Sequence, residues 1–432
     1  MDRRDLFRLG VAAGHFFLMG SSAKVALAAE KSNRSVVWGG SGFNVPFDEI
    51  ATRLSRVKNV LEAGGQAGWR SWLEQLYAEL TEGFDGVVES GPGMKLRFED
   101  DPGLIFSVGF DYENFLRIDI QPGELSGDGS DGEKDISFYY LFSSIRMYSI
   151  QLPRQQTGQI GLVYSKPIRS FNRSLLPSGG SAEESFVRET LMGREQFSTL
   201  AKFGGLVTQV AVEENLISPE TQKHLRVRGA NLSSAASQRF EELRLSTTFN
   251  PNFFASIVGV SVNQAFEASV LPFVMTDYLS STLRSRFDSE PEIGKIFKDM
   301  DEDVASFYID LNVTKVLRKV SAETAAKQQI ARGLAMDIEF MDVANGSSVF
   351  STKLVRVEKR EQVKGAKDES WYQSNDSLYF YYLIDKMVAD FFAGVLSGDR
   401  KVLKGSGVRA QDASDAQITA LRDVLNSCRY GS

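Results

Sequence analysis

Residues 104–120 read Leu-Ile-Phe-Ser-Val-Gly-Phe-Asp-Tyr-Glu-Asn-Phe-Leu-Arg-Ile-Asp-Ile, a stretch that indicates a sheet-forming protein. Apolar residues alternate with smaller or polar ones from Leu104 to Phe110, and again from Leu116 to Ile120. Alternation with a period of two is typical of a strand that buries one face. The polar residues 111–114 separate the two runs, so the pattern predicts two strands joined by a turn.

Similar patterns continue on both sides of this stretch. Further strands are predicted at 136–152, 160–164, 306–316 and on both sides of the turn Asn345-Gly346. Helices are predicted at 47–63, 69–80, 276–287, 378–396 and 416–427, with mostly helical structure from 182 to 244. Charged residues interrupt 378–396, which favours a soluble core helix over a membrane span.

This order of elements predicts an α+β fold, with two mixed sheet and helix domains joined by a helical middle segment. The expected divisions are a signal peptide at 1–28, a first domain at 32–180, a helical connector at 181–250, a second domain at 251–400 and a polar tail with a short helix at 401–432. The order strand, helix, strand, hairpin, helix over 265–397 resembles the small α+β domains of envelope assembly accessory proteins. Examples are the amino-terminal domain of Tol-B-type proteins and the curli-secretion lipoproteins. The resemblance implies an architecture, and no functional residue is carried over from it.

The N-terminus reads Asp2-Arg3-Arg4-Asp5-Leu6-Phe7-Arg8 and resembles the twin-arginine export signal, Ser/Thr-Arg-Arg-x-Phe-Leu-Lys. Arg3 and Arg4 match the arginine pair. Leu6 and Phe7 supply the two bulky apolar positions in swapped order, and Arg8 takes the place of the basic residue. The resemblance implies that the twin-arginine translocase exports the chain to the periplasm.

An apolar stretch at 9–20 follows this motif. Its length fits the hydrophobic part of a signal peptide and is too short for a membrane span. Ala26-Leu27-Ala28 reads as a small-x-small cleavage site, so we expect signal peptidase to cut after Ala28. The mature chain is then expected to have no membrane-spanning segment.

Charge and composition exclude several classes of function. Residues 1–28 contain four basic and two acidic residues, so their removal takes the net charge from −7 to about −9. An acidic chain of this kind is a poor nucleic-acid binder. The basic cluster from Lys353 to Lys367 contains interspersed acids and favours a solvated hairpin of mixed charge.

Beyond the signal peptide the chain has one histidine, His224, and one cysteine, Cys428. Structural zinc sites and iron–sulfur clusters require several such ligands, so we predict no metal and no cofactor. The polar neighbours of His224 favour a surface position on a helix. Cys428 is predicted either as a buried small residue or as a partner in a bond between chains.

Two glycine-rich segments resemble binding loops without matching their patterns. Gly39-Gly40-Ser41-Gly42 follows a short apolar run, but Val45 stands where a dinucleotide-binding loop needs its third glycine. A flexible segment or a turn is therefore expected at 39–42. The acidic loop at 127–133 lacks the spacing of a calcium loop, and a solvated loop is expected there.

Paired carboxylates leave two classes of function open. Asp111, Glu113 and Asp119 flank predicted strand ends, and Asp385 and Asp390 lie on an apolar helix. A hydrolase acting on an envelope polymer or glycan would need two acids about 5–10 Å apart in a deep cleft. A non-enzymatic binding or envelope-assembly protein would instead present a flat apolar patch with a polar rim to an envelope protein partner. We favour the binding protein, and the sequence assigns no residue to a catalytic role.

Overall fold

The computed structural model describes residues 31–45, 47–63, 66–89, 103–120, 134–151, 159–177, 180–212, 221–273, 304–363, 369–408 and 413–430. These residues form two five-stranded mixed sheets and ten helices, which confirms the α+β class. No helix among them is long and apolar enough to cross a membrane.

Sheet 1 contains the first five strands in the order β2-β1-β3-β4-β5. Strand β1 pairs in parallel with β2 and β3, whereas β3 with β4 and β4 with β5 are antiparallel. The strands are β1 Ser32–Phe43, β2 Phe84–Glu89, β3 Gly103–Ile120, β4 Lys134–Gln151 and β5 Gln159–Pro177. The helices of this half are α1 Ile50–Arg53, α2 Ser55–Glu62, α3 Gln66–Gly83, α4 Gly180–Met192 and α5 Thr199–Val212.

Sheet 2 contains the other five strands in the order β7-β6-β8-β9-β10. Strand β6 pairs in parallel with β7 and β8, and the remaining pairs are antiparallel. The strands are β6 Leu225–Leu232, β7 Val270–Leu271, β8 Phe307–Glu323, β9 Lys327–Asp342 and β10 Ser347–Val363. The helices are α6 Ser234–Glu242, α7 Pro251–Phe266, α8 Glu369–Ser397, α9 Arg400–Ser406 and α10 Asp415–Ser427.

The two sheets have the same topology, and the match extends to single residues. In each sheet the first strand lies between two parallel neighbours, and two antiparallel strands follow on one side. Each sheet also carries β-bulges at three corresponding positions. The extra residues are Gly39, Asp111 and Val163 in sheet 1 and Arg228, Thr314 and Val349 in sheet 2. Because bulges mark defined points in a ladder, they align the two halves as structural repeats.

A hydrogen bond beside the second bulge supports this alignment. The backbone amide of Asn44 donates to the carbonyl of Phe110 over 2.7 Å. In the second half, the amide of Ser233 donates to the carbonyl of Val313 over 2.9 Å. Both pairs lie where the first strand of the sheet ends and the neighbouring parallel strand begins its bulge. The chain is therefore an internal structural duplication.

The repeats stack in four layers. Helices α2–α5 pack on one face of sheet 1 and form a core with Trp72, Phe106 and Phe203. Helices α7 and α8 pack between the opposite face of sheet 1 and the inner face of sheet 2. This second core contains Phe142 from sheet 1 and Phe340 from sheet 2. Sheet 1 is thus covered on both faces, whereas the described helices lie on only one face of sheet 2.

Two expectations from the sequence are wrong. The predicted turn at 111–114 is a bulge within the continuous strand β3. Residues 39–42 lie inside β1, where a Cβ on Gly39 would come within 2.7 Å of the Ile105 side chain, so glycine allows the two strands to approach. Helices α4, α5 and α6 agree with the mostly helical interpretation of 182–244, and strand β6 of sheet 2 interrupts them.

Other expectations agree with the structure. The turn at Asn345-Gly346 joins β9 to β10, and Gly346 has a positive φ of 61°. Helices α8 and α10 include the predicted helices 378–396 and 416–427. The signal residues 1–28, the acidic loop 127–133 and the predicted helix 276–287 lie outside the described residues.

Candidate functional site

Aromatic side chains cover the back face of sheet 1, the face away from α2–α5. Phe142 lies 6.4 Å from Phe253 of α7, measured between ring centroids, with the rings edge to face. Tyr140 stacks on Tyr381 of α8 at 4.1 Å. Such pairs add about 0.5–1.5 kcal/mol each to the free energy gained from burial. The back face of sheet 1 is therefore a packed interface between the repeats.

An ion pair lies at the edge of this interface. Arg169 of β5 donates to the carboxylate of Asp385 and, over 3.2 Å, to the hydroxyl of Tyr381. Lys202 of α5 donates to the backbone carbonyl of Arg169, and burial lowers the pKa of its amine to about 7. Asp385 is thus the partner that the buried Arg169 requires.

The bulge at Asp111 contains a buried polar network. The side-chain amide of Asn44 donates to Asp111 over 2.6 Å and to the hydroxyl of Ser144 over 2.8 Å. Arg146 donates to the side-chain carbonyl of Asn44 over 3.0 Å. Burial raises the pKa of Asp111 to about 6, although Asn44 and Arg146 partly oppose the shift. A cavity of about 20 Å³ adjoins the carboxylate, which is room for one water. The network joins β1, β3 and β4 and leaves no space for a metabolite.

Glu113, two residues beyond Asp111 on β3, caps helix α2. Its carboxylate accepts hydrogen bonds from the backbone amides of Arg56 and Val57 at 2.8 and 3.1 Å, and from the Tyr139 hydroxyl at 2.8 Å. These amides belong to the first turn of α2, whose N–H groups have no partner within the helix. Burial raises the pKa of Glu113, and these hydrogen bonds oppose the shift by stabilising the charged carboxylate.

His224 joins the two sheets at their adjacent edges, so its expected surface position is wrong. The side chain is fully buried. Its Nε2 lies 3.2 Å from the Leu162 carbonyl and its Nδ1 lies 2.7 Å from the Ser269 hydroxyl. The neutral ring with its proton on Nε2 satisfies both contacts. Burial lowers the pKa of His224 to about 4, which keeps the ring neutral at physiological pH.

The remaining predicted residues also take structural positions. Asp390 accepts hydrogen bonds from Arg356 at 2.8 Å and from Lys386 at 3.3 Å, on the side of α8 that meets sheet 2. Cys428 is buried, as one interpretation of the sequence predicted, and burial raises the pKa of its thiol to about 12. The described residues contain no group of three or more acids, histidines or cysteines arranged to hold a metal ion.

The surface of sheet 2 that faces away from α7 and α8 is the candidate site, and we call it the outer face. Four rows of paired residues cross it from β8 through β9 to β10. The rows are Asn312/Asp337/Lys353, Lys315/Ala335/Val355, Leu317/Gly333/Val357 and Lys319/Ala331/Lys359. Leu317, Val355 and Val357 are 42%, 41% and 51% exposed, so the part of the chain that the structure describes leaves this face open to solvent.

The outer face forms a shallow trough. Small residues occupy the middle strand, and taller side chains of β8 and β10 stand on either side. A Cβ on Gly333 would contact Val357 at 2.8 Å and Leu317 at 3.5 Å, which shows that these three residues share the face. Strands lie about 4.8 Å apart, so the backbones of β8 and β10 are separated by roughly 10 Å. Ala331 and Ala335 are 7% and 6% exposed, so the side chains of the two outer strands close over the middle strand and themselves form the surface.

Charge divides the outer face along the strands. Lys315, Lys319 and Lys359 are exposed and form no ion pair with another described residue. At the other end, Asp337 pairs with Lys353 over 3.2 Å and Asp310 pairs with Arg228. The outer face is therefore basic and apolar near Lys319 and Lys359, and it carries ion-paired acids near Asp337 and Asp310.

The sequence indicated this surface only in part. It singled out Lys353 and Lys359 as members of a solvated hairpin of mixed charge, and the hairpin β9–β10 carries both. It did not indicate the lysines of β8 or the small residues of β9. A period-two pattern of Ala331, Gly333 and Ala335 facing one side was the available signal.

Comparisons with known proteins assign the chain to no family. No family model matches the chain, and no curated protein matches it. A solved structure of a proposed neuraminyllactose-binding hemagglutinin homologue from Helicobacter pylori is 9% identical, covers 45% of this chain and 97% of its own, and has a TM-score of 0.20. A DUF330 protein from Xanthomonas campestris is 8% identical, covers 41% of this chain and 84% of its own, and has a TM-score of 0.15. At these TM-scores no conclusion about this chain rests on either likeness.

Proposed function

We propose that this chain is a non-enzymatic periplasmic protein that binds an envelope protein through the outer face, as an envelope-assembly accessory would. The observation that carries the proposal is that the outer face is open in sheet 2, whereas the equivalent face of sheet 1 is a packed interface. A flat apolar patch with a charged rim is typical of a protein contact site. Of the acids considered for hydrolysis, Asp111, Glu113, Asp385 and Asp390 instead accept hydrogen bonds that hold the fold together.

Export is the second part of the proposal. It is supported by the resemblance of residues 2–8 to the twin-arginine signal and by the cleavage site at Ala26-Leu27-Ala28. Replacing both arginines, Arg3→Lys with Arg4→Lys, should leave an unprocessed chain in the cytoplasm. The control Asp5→Asn should leave export unchanged. Processed chain in the periplasm of cells that make the lysine variant would contradict export by this route.

Binding is tested by site-specific photocrosslinking in the cells that make the protein. A photoreactive residue in place of Val357 or Leu317 should form an adduct with an envelope protein, identified by mass spectrometry. The same residue at Asp423, which is exposed on α10, serves as the control and should form none. Absence of adducts at both outer-face positions would contradict the proposed contact surface.

A further inference from the structure

Among the described residues, one helix of the first repeat has an open side, just as sheet 2 has an open face. Helix α3 leads into β2, and its equivalent in the second repeat, α7, leads into β7. Helix α7 lies between the two sheets, and twelve of its residues are buried. Helix α3 buries Trp72, Leu76 and Leu80 against sheet 1. Its opposite side is exposed and carries Arg70, Glu74, Ala78 and Glu82, which we call the helix stripe.

We propose that the outer face of one copy binds the helix stripe of a second copy, so that copies associate head to tail. This inference rests on the proposed function, because it names the partner of the same surface. Within the chain, α7 packs on the back face of sheet 1. The proposed contact places the equivalent helix, α3, on the equivalent face of sheet 2. It therefore repeats between copies an arrangement that the repeats already form within one copy.

The spacing of the two surfaces agrees. Residues four apart in a helix are separated by about 6 Å along its axis. Rows two residues apart in a sheet are separated by about 6.7 Å. The four residues of the helix stripe therefore span about 18 Å and the four rows of the outer face about 20 Å. The i, i+4 ridge is inclined to the helix axis, so the helix would lie obliquely across the strands.

The charges of two rows agree when Arg70 lies toward Asp337 and Glu82 lies toward Lys319. Glu74 meets the row that begins with Lys315. Ala78, the small residue of the stripe, meets Leu317 and Val357 in the row of Gly333. Glu82 meets the last row, between Lys319 and Lys359. The first row adds little, because Asp337 already pairs with Lys353 and Arg70 with Glu74.

An interface of this kind does not produce a symmetric dimer. It joins two different surfaces, so each copy keeps one unused outer face and one unused helix stripe. Association then produces a ring or a filament rather than a closed dimer. Because the matched charges are exposed, added salt should weaken the association.

The test is sedimentation velocity on residues 29–432 over a range of concentrations at low and high salt. The wild type should show a mass that rises with concentration and falls with salt. Lys315→Glu with Lys319→Glu should remain monomeric, and so should Glu74→Lys with Glu82→Lys. All four positions are exposed, and circular dichroism should show that both variants keep the wild-type fold.

A mixture of the two variants distinguishes this contact from any other. Each variant keeps one native surface and carries one reversed surface. Reversed meets reversed at one contact and native meets native at the other, so the mixture should recover the concentration-dependent association of the wild type. A wild type that stays monomeric at every concentration would overturn the inference. Association that neither charge reversal changes would overturn it as well. A Val357 adduct with a different envelope protein, from a monomeric chain, would overturn head-to-tail binding and leave the proposed function standing.

Discussion

The same strand order produces a buried surface in sheet 1 and an open one in sheet 2. Counted from the bulges at Asp111 and Thr314, the residues at three successive rows can be compared directly. The rows of sheet 1 are Tyr112/Phe142/Arg169, Asn114/Tyr140/Phe171 and Leu116/Phe138/Arg173. The corresponding rows of sheet 2 are Lys315/Ala335/Val355, Leu317/Gly333/Val357 and Lys319/Ala331/Lys359.

The difference shows that topology and surface chemistry vary independently. Backbone pairing and bulges are the same in both sheets, because they depend on strand register rather than on which side chains face outward. Phe138, Tyr140 and Phe142 are needed in sheet 1, where α7 and α8 lie against them. Sheet 2 has Ala, Gly and Ala at these positions, and the lysines around them are exposed.

The largest expected effect tests whether the two faces differ in burial. Phe142→Ala should lower the free energy of unfolding by about 3–5 kcal/mol, because it leaves a cavity in a packed interface. Val357→Ala on the outer face should change it by less than about 0.5 kcal/mol. Urea unfolding followed by circular dichroism measures both. Similar losses for the two variants would show that the outer face is covered in solution.

A smaller effect tests the charges on the two sheets. Asp385→Asn removes the partner of Arg169, whose side chain is 9% exposed. Breaking a buried pair costs about 3–5 kcal/mol, and the partial exposure of Asp385 places this variant near 3. Asp310→Asn removes the partner of the exposed Arg228 and should cost below about 1 kcal/mol. Equal costs in urea unfolding would contradict the difference in burial.

The smallest effect concerns the edge where the sheets meet. The pKa of His224 is about 4 in the folded chain and 6.5 when unfolded, so the unfolded chain binds more protons between these values. Its contribution to stability is therefore complete above pH 6.5 and is lost as the pH falls. At pH 5 the loss amounts to about 2 kcal/mol. His224→Gln should remove that part of the pH dependence, measured as the urea midpoint at pH 7 and pH 5.

Asp111 supplies the control because its shift has the opposite sign. Its pKa is about 6 in the folded chain and 3.8 when unfolded, so the folded chain binds more protons between these values. Acidification through this window stabilises the fold, and Asp111→Asn should make the loss of stability at pH 5 larger. A His224→Gln variant with the same pH dependence as the wild type would contradict the buried neutral ring.

Local patterns predicted several elements because local chemistry decides them. Asn345-Gly346 is a turn because Gly346 adopts a positive φ at little cost. Helix α10 was predicted at 416–427, and its start carries a capping box made by Ser414 and Gln417. The alternating runs at 104–110 and 116–120 were correctly assigned to strands.

The errors share one cause, which is that a distant contact overrides a local preference. Asp111 is polar and resembles a turn residue, yet Asn44 and Ser144 satisfy its carboxylate within the sheet. Gly39 resembles a loop residue, yet it allows β1 to approach β3. The neighbours of His224 are polar, yet the ring points to Leu162 and Ser269 from the other side of the molecule.

The sequence by itself determined the α+β class, the hairpin at Asn345-Gly346 and the helices at 378–396 and 416–427, because these depend on periodicity and on residues close together in the chain. The duplication, the burial of one sheet and the open face of the other were decided only in the tertiary structure. Equivalent positions such as Tyr140 and Gly333 share no chemistry, because Tyr140 stacks on Tyr381 of α8, whereas Gly333 lies beneath Val357 and Leu317. Only strand register and bulges, which are properties of the folded backbone, show that the two positions correspond.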